Sequence, residues 1–120
     1  MAGFQLKRVH EPVAATDGRR ILVERLWPRG ISKERATLDD WRKDLAPSSD
    51  LRRWFGHRPE RWPEFRAAYR RELAAQAEQL ADLRRQARTH TVTLLYAARD
   101  HEHNSARVLK EALEDGLPEN

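Results

Sequence analysis

Two apolar runs, separated by a long amphipathic stretch, organise the chain. Thr91 to Ala98 (TVTLLYAA) is hydrophobic on both alternating faces: Val92, Leu94 and Tyr96 lie on one side and Thr93, Leu95 and Ala97 on the other. That predicts a strand buried on both faces. Arg20 to Trp27 reads as a second strand, with Ile21, Val23 and Arg25 on one face and Leu22, Glu24 and Leu26 on the other. Both faces stay apolar until a charge enters each near the end, as in a central strand whose end opens into a pocket. Phe4 to Val9 (FQLKRV) alternates more weakly and suits a strand at a sheet edge.

Between the strands the apolar period lengthens to that of a helix. From Pro63 the spacing Phe65, Tyr69, Leu73 and then Ala77, Leu80, Leu83 and Ala87 forms one stripe, with a break expected near Ala74-Ala75. A last helix is expected to be capped by Asp100, to bury Ser105, Val108, Leu109, Ala112 and Leu113, and to stop before Gly116 and Pro118. Shorter signals fill the gaps. Ser32-Lys-Glu-Arg suits one helical turn, and Asp40 to Leu45 suits either a short strand or a helical turn. Ser48 or Ser49 would cap Leu51–Phe55, which Gly56 ends, and Pro59 and Pro63 each fit a first helical position. Asp17-Gly18 marks a turn. Strand, link, strand, helices, strand, helix predicts the α/β class: a single layered domain over residues 1–120, with a small, mostly parallel sheet of about four strands flanked by helices. Ligands of such sheets bind outside the carboxyl ends of the strands.

Composition narrows the chemistry. At 120 residues one core is large enough to remove roughly two-thirds of the unfolded surface from water. There is no cysteine, which excludes disulfides, thiol catalysis and Cys-ligated metal centres. No apolar run is long enough to span a bilayer and no secretory signal is visible at the start, so a cytoplasmic location without membrane attachment is expected. The formal charge is +4, from 23 basic and 19 acidic residues. The basic excess falls in Arg25–Arg35 and Arg58–Arg88, which keeps nucleic acid open as a partner, although the clustering is thinner than such proteins usually show.

With parallel strands, the loops that meet at the strand ends carry Glu24, Arg25, Trp27 and Arg29, then Asp44 and Ser48, then Tyr96, Asp100, His103 and Asn104. Arg25 and Arg29 are fork-shaped donors suited to a carboxylate or phosphate, and helix starts at Ser48/Ser49 and Asp100 would add N–H groups. This predicts a small anionic ligand, with Arg25, Trp27, Arg29, Ser48, Tyr96 and Asn104 binding it. His103, Asp44 or Glu24 would act as acid or base if the protein is an enzyme. Structural readings stand beside these. Arg25 next to Glu24 is also the pattern of an ion pair, Trp27-Pro28 that of a loop plug, and His103-Asn104 that of an exposed ring beside an alternative cap. His101 and His103 are two residues apart and complete no metal signature; neither a metal nor another cofactor is expected. No phosphate-binding glycine loop or nucleophile elbow occurs.

The strings ILVERLWPRGISKE, LDDWRKDLAPSSDLRRWFGHRPERWPEFRAAYRREL and VTLLYAARDHEHNSARVL resemble the bacterial family called domain of unknown function 488, in its YeaO-like branch. The resemblance runs from about Lys7 to Leu113 and implies an α/β fold and a small cytoplasmic protein, but no substrate. Its motif residues here include Arg25, Trp27, Arg29, Asp44, Ser48, His57, Tyr96, Asp100, His103 and Asn104. Glu24 stands where the family typically has Asp, and Tyr96 where wider members carry Cys. Thiol chemistry is therefore not carried over. Two functions follow as expectations: a binding or catalytic site for a small anionic metabolite or nucleotide, or a nucleic-acid-binding or regulatory protein using the Arg-rich helix. The oligomeric state is left open.

Overall fold

The strand with apolar residues on both faces takes an interior position in the sheet. Four parallel strands form one sheet in the order β1-β4-β2-β3: β1 (Gly3–Arg8), β2 (Arg19–Leu22), β3 (Asp40–Trp41) and β4 (Thr91–Tyr96). The computed structural model describes residues 3–116. β4 pairs with β1 from Gly3 opposite Thr91 to Arg8 opposite Tyr96, and with β2 from Arg19 opposite Val92 to Leu22 opposite Leu95. The weakly alternating β1 lies at an edge, with Gln5 exposed.

The two faces of the sheet are covered unequally. Ile21, Val23, Val92, Leu94 and Tyr96 face a large core completed by helices α2 (Ser49–Phe55), α3 (Trp62–Ala74), α4 (Ala77–Thr89) and α5 (Ser105–Asp115). Leu22 and Leu95 face a smaller cluster with Val9, Ile31 and Ala36. The short helix α1 (Lys33–Ala36) and the Trp-Pro-Arg-Gly loop help to close that side, and Trp27 and Trp41 pack edge-to-face across it, with ring centroids 5.4 Å apart. The expected alternation of β4 therefore holds on both faces.

Several local signals act as read. Ser48 Oγ accepts from the Leu51 N–H at 3.2 Å and Gly56 ends α2 in a left-handed conformation. The long helical stripe breaks into α3 and α4 at Ala75-Gln76, and Asp40–Leu45 is both things at once, a two-residue strand and then a 3-10 turn over Lys43–Leu45.

Two expectations are corrected. Strand pairing does not run to Trp27: the ladder ends at Leu22, with a last bond from the Val23 N–H to the Leu95 carbonyl at 3.1 Å. Beyond it the chain leaves the sheet, because Arg25 donates to the carbonyls of Pro47 (3.1 Å) and Ala46 (3.0 Å) and Trp41 donates to that of Glu24 (2.6 Å). The cap of α5 is Asn104, not Asp100. Asn104 Oδ1 accepts from the Arg107 N–H at 2.9 Å, whereas Asp100 Oδ1 caps the preceding turn through the N–H groups of Glu102 and His103. Pro118 lies outside the described residues.

Candidate functional site

Beyond the carboxyl ends of β2 and β4 lies a cavity of about 290 Å³. Each wall comes from an element with its own reason to be there. Glu24 arrives from the end of β2, Ala97 and Ala98 from the end of β4, and Arg52, Phe55 and His57 from α2 and its exit. Phe65 of α3, the turn at Pro47 and the entry of α5 with His103, Asn104 and Ser105 complete it.

Glu24 is half-buried on this wall. Its Oε2 accepts the Ala97 N–H at 3.1 Å, and no hydrogen bond to Oε1 is formed among the described residues. Burial pushes its carboxyl above the usual carboxylate range; the bond from Ala97 and the charges of Arg52 and His57 pull the other way without prevailing. The Arg52 guanidinium is exposed and has no hydrogen-bonding partner among the described residues. His57 follows Gly56 with φ +56°, a left-handed conformation uncommon outside glycine, and its ring lies 6.3 Å from that of Phe55. Phe55 and Phe65 stack at 4.5 Å and form an apolar side.

His103 is oriented by two contacts. Its Nδ1 lies 3.0 Å from Asp100 Oδ2, and its ring meets Trp62 edge-on at 5.2 Å. Backbone N–H groups from His103 and Glu102 hold the Asp100 carboxyl down at about 2, so it is ionised across the ordinary pH range. With the Asp100 carboxylate as acceptor, a proton on Nδ1 makes that bond. Among the described residues no group of three or more His, Asp or Glu is arranged to hold a metal ion.

The family model described as the inactive DUF488-N3 subclade matches residues 3–120. The chain belongs to that subclade. It is 42% identical over 113 residues to the uncharacterised protein YeaO of Escherichia coli (strain K12), covering 92% of this chain and 96% of the relative. It is 41% identical over 109 residues to the uncharacterised protein Rv3073c of Mycobacterium tuberculosis (strain ATCC 25618 / H37Rv), covering 91% of this chain and 92% of that one. No solved structure matches.

In this DUF488-N3 protein Glu24, His103 and Asn104 meet at the cavity, while the other sequence candidates lie elsewhere. Asn104 lines the cavity but has both ends of its amide engaged, Nδ2 on the Asp100 carbonyl and Oδ1 on the Arg107 N–H. Arg25 holds backbone carbonyls and makes no ion pair with Glu24, and Arg29 is exposed with no side-chain partner among the described residues. Trp27 is the plug of the smaller core, its Nε1 donating to the Ile31 carbonyl at 2.7 Å. Asp44 is exposed. Ser48 is occupied by its capping bond and by Glu72, which accepts from both its N–H and its hydroxyl. The Tyr96 hydroxyl lies 3.0 Å from His101 Nδ1, and burial raises its pKa. Arg52 is not among the residues that the sequence marks as a site, whereas His57 is one of the motif residues of the family resemblance. The Ser48 cap and Gly56 stop place Arg52 in the middle of α2 and His57 just past its end.

No helix among the described residues is long and apolar enough to cross a membrane.

Proposed function

We propose that this protein is a binding domain for a small anionic ligand, a carboxylate or phosphate, held in the cavity beyond β2 and β4. The observation that carries the reading is the exposed Arg52 guanidinium, which has no hydrogen-bonding partner among the described residues and lines, with His57 and His103, a cavity with an apolar wall. A fork of N–H donors without a partner is the usual receptor for a planar or tetrahedral oxyanion. Binding rather than turnover is favoured by the description of the subclade as inactive and by the cavity's chemistry. It holds no thiol, and among the described residues the Ser105 hydroxyl makes no hydrogen bond to an imidazole. The anion clamp moves accordingly from Arg25 and Arg29 to Arg52.

Melting curves in phosphate and in chloride at matched ionic strength test this, because a ligand bound only by the folded state raises its stability. Phosphate is expected to raise the melting temperature of the wild type and of Arg29→Gln but not of Arg52→Gln. An equal gain in Arg52→Gln, or no gain in the wild type, overturns the reading.

Nucleic-acid binding through the Arg-rich helices has less support. Arg66 is paired with Glu111, Arg70 donates to the Gly116 carbonyl, and Arg84 donates to the carbonyls of Ala112 and Leu113. Those three arginines dock α5 onto α3 and α4 and are not free for phosphates.

A further inference from the structure

We infer that the ligand of this cavity is a small zwitterion of the amino-acid type, carrying an amino cation for Glu24, an anion for Arg52 and an apolar side chain for the aromatic wall. The inference rests on the anion-binding reading and adds the second charge. Glu24 and Arg52 line the same cavity and feel each other's charge, yet they form neither an ion pair nor a hydrogen bond. Two opposite charges are thus held apart on one cavity, with Glu24 half-buried beyond the strand end and Arg52 exposed.

A simple anion satisfies only one of them. Phosphate on Arg52 would bind, but weakly, because it adds negative charge near a carboxylate that is already partly desolvated and has one oxygen without a hydrogen-bond donor among the described residues. An ammonium placed against Glu24 Oε1 removes that repulsion and supplies the missing donor, while the α-carboxylate reaches Arg52. The charges of such a ligand run opposite to those of the cavity. Phe55 and Phe65, stacked at 4.5 Å, with Pro47 and Ala98 beside them, leave the remaining surface for an apolar side chain. The volume, about 290 Å³, lies just below the usual range of ligand sites, roughly 300 to 1,000 Å³, and suits a ligand as small as one amino acid.

Calorimetric titration of the full chain near neutral pH and at constant ionic strength compares three probes of one shape. These are L-phenylalanine, 3-phenylpropanoate, which lacks the amino group, and 2-phenylethylamine, which lacks the carboxylate. Phenylalanine is expected to bind about tenfold more tightly than either, the contribution of one charge-assisted hydrogen bond. Glu24→Gln should bring phenylalanine down to the level of phenylpropanoate without weakening the latter, and Arg52→Gln should weaken both. If phenylpropanoate binds as tightly as phenylalanine, or if phosphate binds and phenylalanine does not, the zwitterion is wrong and the anion site stands. If neither the three probes nor phosphate bind, both readings fall. The wild-type comparison alone decides the question, so a variant that folds poorly does not leave it open.

Discussion

Glu24 sits at the end of a strand that was legible as buried, and its carboxylate is the least comfortable charge in the cavity. Burial raises its pKa above the ordinary 4.5, so the folded chain holds that proton more tightly than the unfolded chain does. The sign follows from proton linkage: the contribution of Glu24 to stability is fully present below the unfolded value and is lost as pH rises through the folded one. Glu24→Gln keeps the shape and can keep the acceptor for the Ala97 N–H while removing the charge. The variant is expected to be more stable than wild type near neutral pH, with the gain shrinking towards zero as pH falls below the ordinary carboxylate value. Denaturant melts across a pH series measure this. A gain that does not vary with pH would show that the residue's charge is not what the fold opposes. The same substitution should abolish the preference for an amino group, which separates what this residue costs the fold from what it does for a ligand.

Elements here are bounded by single residues whose conformations can be read in advance, but only where no competitor stands nearby. Gly56 ends α2 as expected, and of the two adjacent candidate caps it is Ser48, held also by Glu72, that caps the helix. At α5 two competent caps, Asp100 and Asn104, lie four residues apart; Asp100 is taken up by the turn over Glu102 and His103, and Asn104 caps the helix. The turn before β2 shows a sharper constraint. Gly18 has φ +62°, and a Cβ there would lie 2.2 Å from the Thr91 carbonyl oxygen, a backbone atom at the start of the central strand. Gly18→Ala combines left-handed strain with a clash that a side-chain movement does not relieve. It is expected to cost about 2–4 kcal/mol by chemical denaturation. A loss under about 1 kcal/mol would mean that the turn shifts freely relative to β4.

On the scale of the whole molecule, one sheet separates a large core from a small one, and the loop Trp27-Pro28-Arg29-Gly30 belongs to the small one. Pro28 is buried, Trp27 packs inward, and Gly30 turns the chain with φ +77°. The loop closes the second face of the sheet, and Arg29 is left outside by that packing. Leu95 is the point where the small cluster touches the central strand, and it is fully buried. Leu95→Ala is expected to cost about 2–5 kcal/mol of unfolding free energy, because few atoms on this thin side can move to fill the space. A cost under about 1 kcal/mol would show that the loop and α1 cover the strand only loosely. At the opposite end of the strands, Arg20 is almost wholly buried. It bonds Asp17 at 2.5 Å and the carbonyls of Ala36 and Thr37, and so ties α1 to β2. Nothing in the alternation of β2 distinguished this arginine from the exposed ones.

The α/β class, the buried central strand, the edge position of β1 and the break between α3 and α4 were determined by the sequence alone. Each depends on a period of apolar residues or on one backbone preference, and both are properties of neighbours along the chain. The family, too, was legible in three strings of residues. The membership of the cavity was decided only by the tertiary structure. Glu24 meets Arg52 and His57 because β2 and the end of α2 converge in space, and no local signal encodes a distance between residues that far apart in the chain. The same holds for Arg25 and Arg29. Their side chains advertise an anion clamp in the sequence, but whether a guanidinium is free depends on which carbonyls the fold brings to it, and the fold brought Ala46 and Pro47 to Arg25 and left Arg52 without a hydrogen-bonding partner among the described residues.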